Sequence, residues 1–279
     1  MFLGTNYHVM DLKKLLTRSL SGIVYCLVIV GAILLGEKGT MMLGALLSVL
    51  ACVEFSKICH DFNRKNMPAL LLDIIGCVAL CCGVLLYPLV IWTGIMVLRF
   101  VAELYMKEED PLRNLGHSMM SQIYIGLPMG LMVGVAYLWT SNLLLALFFF
   151  IWINDTGAFL VGSTLGKHRL FERISPKKSW EGFFGGLFFN IIAAWLFWRF
   201  GMDFFGFGMV SDSCWFAIGF AVTVTVFGTW GDLVESLLKR TLKIKDSGNI
   251  IPGHGGILDR IDSFLLAMPA IFCYLLILG

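Results

Sequence analysis

Runs of apolar residues alternate with short polar segments along the whole chain, and they set the predicted architecture. The apolar runs fall near residues 19–36, 39–58, 69–87, 88–105, 121–139, 142–162, 180–198, 215–236 and 258–278. Each is close to the ~20 residues that an α-helix needs to cross a bilayer. The pattern therefore predicts an all-α, polytopic integral membrane protein with about nine transmembrane helices. The run at 88–105 is the weakest, because Arg99 and Glu103 lie inside it.

Composition supports a membrane protein and excludes an ordinary soluble enzyme. Of the 279 residues, 58% are hydrophobic and 14% are charged, whereas soluble domains have about 25% charged residues. We predict one transmembrane domain over residues 1–279, with N-terminal helices in 1–140 and a second half in 141–279 whose helices and cytoplasmic loops carry the main polar segments. A net charge of +2 gives no reason to expect a nucleic-acid partner. The eight cysteines lack zinc-type spacing, and we interpret them as small buried side chains.

Basic residues are distributed unevenly between the two sides of the predicted helices. With the N-terminus in the cytoplasm, 17 of the 21 Lys and Arg residues fall in inside segments, Arg99 and Arg260 lie within the spans, and only Lys38 and Arg199 fall outside. Lys and Arg accumulate in short cytoplasmic loops, so this distribution predicts a cytoplasmic N-terminus. Lys13, Lys14 and Arg18 precede the first apolar run, which we expect to stay as a span rather than to be cleaved. The same orientation places the polar segments of the second half on the cytoplasmic side.

Two polar segments interrupt the pattern around the sixth and seventh runs. Asn154 and Asp155 lie near the inner end of the run at 142–162, where a carboxylate is costly unless it faces a polar cavity or bonds to a neighbouring helix. Residues 175–182, SPKKSWEG, begin with Ser175 and lead directly into the next run. Lys177 and Lys178, adjacent at a predicted helix start, favour a phosphate ligand. They could instead anchor the helix to anionic head groups.

A third polar region, between the last two runs, is rich in carboxylates. Asp232, Glu235 and Ser236 are spaced i, i+3 and i+4, so a helix places their oxygens on one face. Asp259 and Asp262 repeat the i, i+3 spacing at the start of the last run. Carboxylates this close together repel one another unless cations neutralise them. Hard oxygen ligands without a Cys or His cluster favour Mg²⁺ over zinc.

The loop between these two helices contains Gly248, Gly253, Gly255 and Gly256 around His254. Glycines let the backbone approach a ligand closely, and successive N–H groups can form an anion-binding nest. With carboxylates on both flanks and basic residues nearby, the loop predicts a site for a metal-bound polyphosphate. His254 could act as a general base, or it could only form a hydrogen bond.

These residues carry a resemblance to a known family. The run from Ser236 to Asp262, S-x-L-K-R-x4-K-D-x-G-x2-I-P-x-H-G-G-I-x-D-R-I-D, resembles the signature of phosphatidate cytidylyltransferases, also called CDP-diacylglycerol synthases. Residues 154–158 and 175–182 are similar to two further segments of the bacterial members. The resemblance covers roughly residues 150–265, and residues 1–150 match mainly in hydropathy.

The resemblance implies a reaction and a cofactor. CTP and phosphatidic acid would give CDP-diacylglycerol and pyrophosphate, for phospholipid biosynthesis, at the cytoplasmic face of a bacterial inner membrane. The family also implies Mg²⁺, with K⁺ as a second cation, on carboxylates that map to Asp232 and Asp259. No nucleic acid is expected as a partner, whereas membrane lipids are. The sequence leaves open whether the chain forms a homodimer through its early helices.

Residue chemistry and resemblance together define the candidate site. The candidate metal ligands are Asp232, Asp259, Glu235 and Asp262. The candidate catalytic residues are Asp232, Asp259, Lys239, Arg240, Lys245 and Asp246. The candidate substrate-binding residues are Asn154, Asp155, Ser175, Lys177, Lys178, Ser236, His254, Gly255, Gly256 and Arg260.

Other functions fit parts of the same pattern. A CTP-dependent lipid kinase would need similar charges but would transfer the γ-phosphate. A cation-coupled transporter would also carry carboxylates in its helices, although transporters tend to show inverted repeats and a midplane site. A purely structural role for the polar loops would leave the carboxylates of the second half without a ligand. In the first half, Glu54 and Asp73 lie in apolar runs without an assigned role, and Arg99 and Glu103 are spaced to pair on one helix.

Overall fold

The computed structural model describes residues 5–59, 67–82, 86–106, 109–250 and 255–279, with side chains from residue 16 onward except at 18 and 86. The α-helices in these ranges are α1 (Thr5–Leu34), α2 (Gly36–Cys59), α3 (Met67–Leu80), α4 (Leu86–Met106), α5 (Pro111–Ser121), α6 (Leu127–Val135), α7 (Asn142–Leu165), α8 (Trp180–Phe200), α9 (Cys214–Thr241) and α10 (Leu258–Leu278). Two π-helical turns, Gln122–Gly126 and Ala136–Thr140, extend α5 and α6 into one helix. Phe207–Met209 is a 3₁₀ turn. Two short strands, β1 (Arg169–Phe171) and β2 (Ser175–Ser179), complete the described part.

Seven helices in the described ranges are long and apolar enough to cross a membrane, by length and composition. They are Gly36–Cys59, Tyr87–Met106, Pro111–Thr140, Asn142–Leu165, Trp180–Phe200, Cys214–Thr241 and Leu258–Leu278. The two other predicted runs fall on shorter apolar helices, Ser19–Leu34 and Met67–Leu80. The predicted all-α, polytopic membrane fold is therefore confirmed. The count of nine spans and the cytoplasmic N-terminus stay predictions.

The predicted run at 121–139 is the C-terminal part of a longer helix, Pro111–Thr140. That helix begins at Pro111, about a third of its length before the predicted run. The Asp110 side chain caps it by accepting a hydrogen bond from the backbone N–H of Arg113 over 3.0 Å. Pro111 occupies the first turn, where its missing N–H costs nothing. The Asp110 cap and Pro111 thus make the polar segment Pro111–Ser121 helical, although hydropathy alone assigns it to a loop.

A β-hairpin between α7 and α8 is the element that the apolar pattern misses. Arg169–Phe171 pairs antiparallel with Ser175–Ser179. The sequence places Lys177 and Lys178 at a helix start, but they lie on β2, and α8 begins only at Trp180. The reason is the N-cap: Ser179 is extended, and its hydroxyl accepts from the Gly182 N–H over 3.1 Å.

The second half of the chain forms the packed core on which the site is built. Phe150, Phe220 and Phe264 are fully buried among α7, α9 and α10. Small residues on α8 let α7 approach closely: a Cβ added at Gly186 would lie 2.9 Å from the Asn154 carbonyl oxygen. This close packing fixes the inner end of α7 against α8 and α9.

In the first half, a buried polar cluster joins α3, α4 and α5. Arg99 is fully buried, and its Nη1 donates to Glu103 Oε2 over 2.6 Å. Its Nε donates to Ser118 Oγ over 2.8 Å, and Ser118 Oγ donates to Asp73 Oδ2 over 2.9 Å. Asn114 Nδ2 donates to Glu103 Oε2 over 2.8 Å. The predicted pairing of Arg99 with Glu103 is confirmed, and it lowers the cost of placing two ionisable groups in an apolar helix.

Candidate active site

Helix α9 presents a row of polar side chains on one face, as the spacing predicts. Ser236 Oγ donates to Asp232 Oδ1 over 3.3 Å, and Lys239 Nζ donates to Glu235 Oε2 over 2.6 Å. Glu235 is 3% exposed, and among the described residues its other oxygen has no hydrogen-bond partner. This face therefore carries charge into the protein interior.

Asp259 is enclosed by donors at the start of α10. Its Oδ1 accepts from Lys239 Nζ over 2.7 Å, and its Oδ2 accepts from the backbone N–H groups of Ser247 and Gly256 over 3.0 and 2.9 Å. Gly255 has a φ of +84°, and a Cβ there would lie 2.6 Å from Asp259 Oδ2, so glycine is required. The sequence predicts that the glycine-rich loop binds a phosphate. In its described part, the anion that it holds is the Asp259 carboxylate.

Asp232 pairs with the hairpin rather than with α10. Lys178 Nζ lies 2.7 Å from Asp232 Oδ2 and donates to the Thr229 carbonyl oxygen over 3.3 Å. Lys177, the preceding residue, is exposed. The hairpin thus brings one lysine onto an α9 carboxylate and leaves the other open to the solvent.

Three carboxylates from three helices form what we call the acidic cluster: Asp155 on α7, Asp232 on α9 and Asp262 on α10. Asp262 interacts electrostatically with both of the others and with Glu235. Asp155 interacts with Asp232 and with Lys178. Like charges repel strongly in a medium of low dielectric constant, so this arrangement favours a bound cation.

Two cavities meet at Asp155. The hairpin pocket, of about 560 Å³, lies between α7, α8, α9 and the hairpin, and its lining includes Asn154, Asp155, Arg169, Lys177, Lys178 and Asp232. The inner pocket, of about 240 Å³, lies between α1, α7 and α10, and its lining includes Tyr25, Asp155, Asp259, Arg260 and Asp262. Asp232 and Asp259, which the sequence places on one metal ion, therefore line different cavities. Asp155 lines both.

An apolar groove of about 570 Å³ continues from the inner pocket along α1 and α7. Its lining includes Ile23, Leu27 and Phe149. Gly22, Cys26 and Trp152 line both the groove and the inner pocket. The charged end of the inner pocket is thus connected to an apolar outer surface.

Three further predicted residues, Arg240, Ser175 and Arg260, lie around the site. Arg240 Nε donates to the Ile174 carbonyl oxygen over 3.3 Å and fastens α9 to the hairpin. Ser175, half-buried, begins β2. Arg260 is exposed beside the inner pocket, and its carbonyl oxygen accepts from Tyr25 Oη over 2.8 Å.

Two predicted residues, Lys245 and Asp246, are not brought to the acidic cluster. Lys245 and Asp246 are exposed on the segment that follows α9. His254 lies outside the described residues. Asn154, by contrast, is buried beside the cluster: its Nδ2 donates to Thr229 Oγ1 over 3.5 Å, and its Oδ1 has no partner in the described part of the chain.

The sequence matches the profile of the cytidylyltransferase family over residues 16–278. The chain belongs to the cytidylyltransferase family. Two members of this group that match over most of their length are the phosphatidate cytidylyltransferases of Staphylococcus epidermidis, 31% identical over 266 residues, and Staphylococcus haemolyticus, 30% identical over 266 residues. Both alignments cover 90% of this chain and 95% of the relative.

A shorter but more similar alignment concerns the phosphatidate cytidylyltransferase of Staphylococcus aureus. It is 47% identical over 122 residues, which span 44% of this chain and 44% of that relative, less than half the length of either. Family membership confirms the resemblance that the polar motifs predict.

Sequence reasoning missed the contacts that Glu54, Thr229 and Ser247 make in and beside the candidate site. Thr229 lies one turn before Asp232 and binds both Lys178 and Asn154. Glu54 is buried in α2 and bonds to the segment after α9, including Ser247. The sequence shows Glu54 as a lone carboxylate in an apolar run, which could have indicated a buried contact. It does not show the partners, because they are about 200 residues away in sequence.

Proposed function

We propose that this protein transfers the cytidylyl group of CTP to phosphatidic acid, forming CDP-diacylglycerol and pyrophosphate on the cytoplasmic side of a bacterial inner membrane. One observation carries the proposal: Asp155 and the acidic cluster lie where a basic polar pocket meets a pocket that opens into an apolar groove. A site of this kind suits one water-soluble and one lipid substrate. Family membership supports the cytidylyl donor.

The hairpin pocket is the site for CTP. Its volume of about 560 Å³ falls within the roughly 300–1,000 Å³ of ordinary ligand sites. Arg169, Lys177 and Lys178 line it and supply positive charge for a triphosphate. Asn154 supplies a buried amide beside the same lining.

The inner pocket and its groove are the site for phosphatidic acid. Arg260 lines the polar end and suits the lipid phosphate. Apolar side chains of α1 and α7, among them Leu27 and Phe149, line the groove and suit an acyl chain. The lipid phosphate would then lie next to Asp155, facing the nucleotide pocket.

The chemistry is an in-line displacement at the α-phosphorus of CTP. A phosphate oxygen of phosphatidic acid forms the new P–O bond, the bond to the β-phosphate breaks, and its electron pair leaves with pyrophosphate. The lipid phosphate is already an anion and needs little help from a general base. Lys178 and Arg169 hold the triphosphate and stabilise the charge that develops on the leaving group.

The acidic cluster fits Mg²⁺ by its donor chemistry. In the described ranges no three His, Cys, Asp or Glu side chains already converge on a metal position, but Mg²⁺ is usually bound by one or two carboxylates together with substrate phosphates and water. Asp232, Asp155 and Asp262 are the ligands that we favour, because Asp155 lines both pockets and interacts electrostatically with the other two. Asp232 would exchange its pairing with Lys178 for the ion, whereas Asp259 and Glu235 share the more buried Lys239. The ion would supply positive charge to the phosphates. K⁺ is proposed as a second cation, and a homodimer through the early helices as the assembly.

Labelled CTP tests the proposal. The purified protein with Mg²⁺ and phosphatidic acid should move the α-phosphate label into lipid and the γ-phosphate label into pyrophosphate, in equal amounts. A lipid kinase would instead move the γ-phosphate label into lipid and release CDP. Ion-dependent uptake into liposomes without turnover would indicate a transporter. Either of the last two results would refute the proposed function.

A further inference from the structure

Glu54, near the C-terminal end of α2, makes contacts far away in the sequence. Its side chain is 2% exposed, and its Oε2 accepts from the Ile257 N–H over 2.7 Å. Its Oε1 accepts from the Leu258 N–H over 3.4 Å and from the Ser247 hydroxyl. Ile257 and Leu258 begin α10, so this carboxylate lies at the positive end of the helix dipole. A residue of the first half therefore caps the helix that carries Asp259.

Two glycines make room for the Glu54 carboxylate. A Cβ added at Gly248 would lie 2.9 Å from Glu54 Cδ, and a Cβ at Gly256 would overlap the carboxylate itself. The Gly256 N–H also donates to Asp259 Oδ2 over 2.9 Å. Gly256 thus fits between two carboxylates, which explains why the segment needs a residue without a side chain there.

Ser247 connects the same two carboxylates. Its hydroxyl donates to Glu54, and its backbone N–H donates to Asp259 Oδ2 over 3.0 Å. Asp259 in turn accepts from Lys239, which also holds Glu235. A continuous series of hydrogen bonds therefore leads from α2 to the polar face of α9.

We infer that Glu54 is a positioning residue of the active site, an inference that rests on the proposed cytidylyl transfer. It acts through Ser247 and the first turn of α10, which carry Asp259 and Asp262. Without Glu54, buried N–H groups of Ile257 and Leu258 lose their acceptor, and the first turn of α10 loses its fixed place. Turnover depends on that placement more than CTP binding does, because the CTP pocket is built from the hairpin, α7, α8 and α9.

The test compares Glu54→Ala and Glu54→Gln with Glu103→Gln in the purified full-length protein. Glu103 is a matched control, since it is also a buried carboxylate but bonds to Arg99 and Asn114. We expect Glu54→Ala to lower kcat by about 30-fold or more, with KM for CTP changed less than about threefold. Glu54→Gln keeps one acceptor oxygen and should recover part of kcat. Glu103→Gln should keep kcat within about threefold of the wild type.

Amide hydrogen exchange gives a readout that does not depend on activity. Peptides that contain residues 247 and 255–258 should exchange faster in Glu54→Ala, whereas peptides of α4 should do so only in Glu103→Gln. If Glu54→Ala does not fold, Ser247→Ala tests the same connection with a smaller change. Ser247→Ala should lower kcat, and its effect should be non-additive with Glu54→Gln.

Unchanged kcat in Glu54→Ala or Ser247→Ala would overturn the inference. So would an equal loss of kcat in Glu103→Gln, or unchanged exchange at the start of α10. A wild-type protein that forms no CDP-diacylglycerol would instead refute the proposed function. The exchange experiment would still decide whether Glu54 holds the start of α10.

Discussion

Lys239 lies between Glu235 and Asp259, with its Nζ 2.6 Å from an oxygen of the first and 2.7 Å from an oxygen of the second. The lysine side chain is 16% exposed, and the two carboxylates are more buried still. One ammonium group therefore ties α9 to α10 in a nearly dry environment. Its loss would leave two buried carboxylates facing each other without compensation.

We expect Lys239→Ala to lower the free energy of unfolding by about 3 kcal/mol, because removing one partner of a buried ion pair leaves uncompensated charge. Denaturant unfolding in detergent measures this. The exposed Lys167 is the matched control, and Lys167→Ala should change stability by less than about 0.5 kcal/mol. Equal losses in the two variants would contradict the role given to Lys239.

The two lysines of β2 should differ in importance. Lys178→Ala removes the partner of Asp232 and should lower kcat/KM by about 100-fold, whereas Lys177→Ala should lower it by about tenfold through weaker phosphate binding. Lys38→Ala, which neutralises an exposed lysine at the start of α2, should leave kcat/KM within about twofold. Initial rates at varied CTP decide the order. The same loss in all three variants would indicate general surface electrostatics.

The apolar groove can be filled selectively. Gly22 lines both the groove and the inner pocket, so Gly22→Leu should raise KM for phosphatidic acid by about tenfold while KM for CTP stays within about twofold. Gly31→Leu is the control on the same helix, because a Cβ there meets nothing within 4 Å. Surface-dilution kinetics in mixed micelles measure both constants. A rise in KM for CTP instead, or no difference from Gly31→Leu, would remove the groove from the lipid path.

The buried cluster around Arg99 should matter for stability rather than turnover. Arg99→Met leaves Glu103 and Asp73 as uncompensated acids and should destabilise the protein by about 3–5 kcal/mol. Arg99→Met combined with Glu103→Met removes one of those charges and should be less destabilising than Arg99→Met alone. Thermal unfolding of the three proteins gives the comparison. A double variant less stable than the single one would contradict this account of the cluster.

Much of the fold could be predicted from the sequence because a membrane helix leaves a long apolar run in the chain itself. The pairing of Arg99 with Glu103 could also be predicted, because the two residues lie one turn apart on the same helix. The β-hairpin could not be predicted, because strands of three and five residues are too short to show an alternation of apolar and polar residues. The start of α5 at Pro111 could not be predicted either, because it depends on the Asp110 cap and on the proline rather than on hydropathy.

The site could be predicted in its residues but not in its pairings. The carboxylates of α9 and α10 are apparent from their spacing, yet spacing does not show that Lys239 binds Asp259 or that Lys178 binds Asp232. Glu54 shows the limit most clearly, because its partner Ile257 is separated from it by most of the chain. Such contacts are set by helix packing, which a single sequence does not display.

The proposed function assigns Mg²⁺-dependent cytidylyl transfer between the two pockets to the acidic cluster. The most direct measurement is the initial rate of CDP-diacylglycerol formation by Asp232→Asn over a Mg²⁺ titration, with the exposed Asp212→Asn as control. Asp232→Asn is nearly isosteric, and we expect a folded protein whose rate is at least about 100-fold lower at every Mg²⁺ concentration, while Asp212→Asn stays within about twofold. A folded Asp232→Asn protein with near wild-type rate and Mg²⁺ dependence would contradict the account.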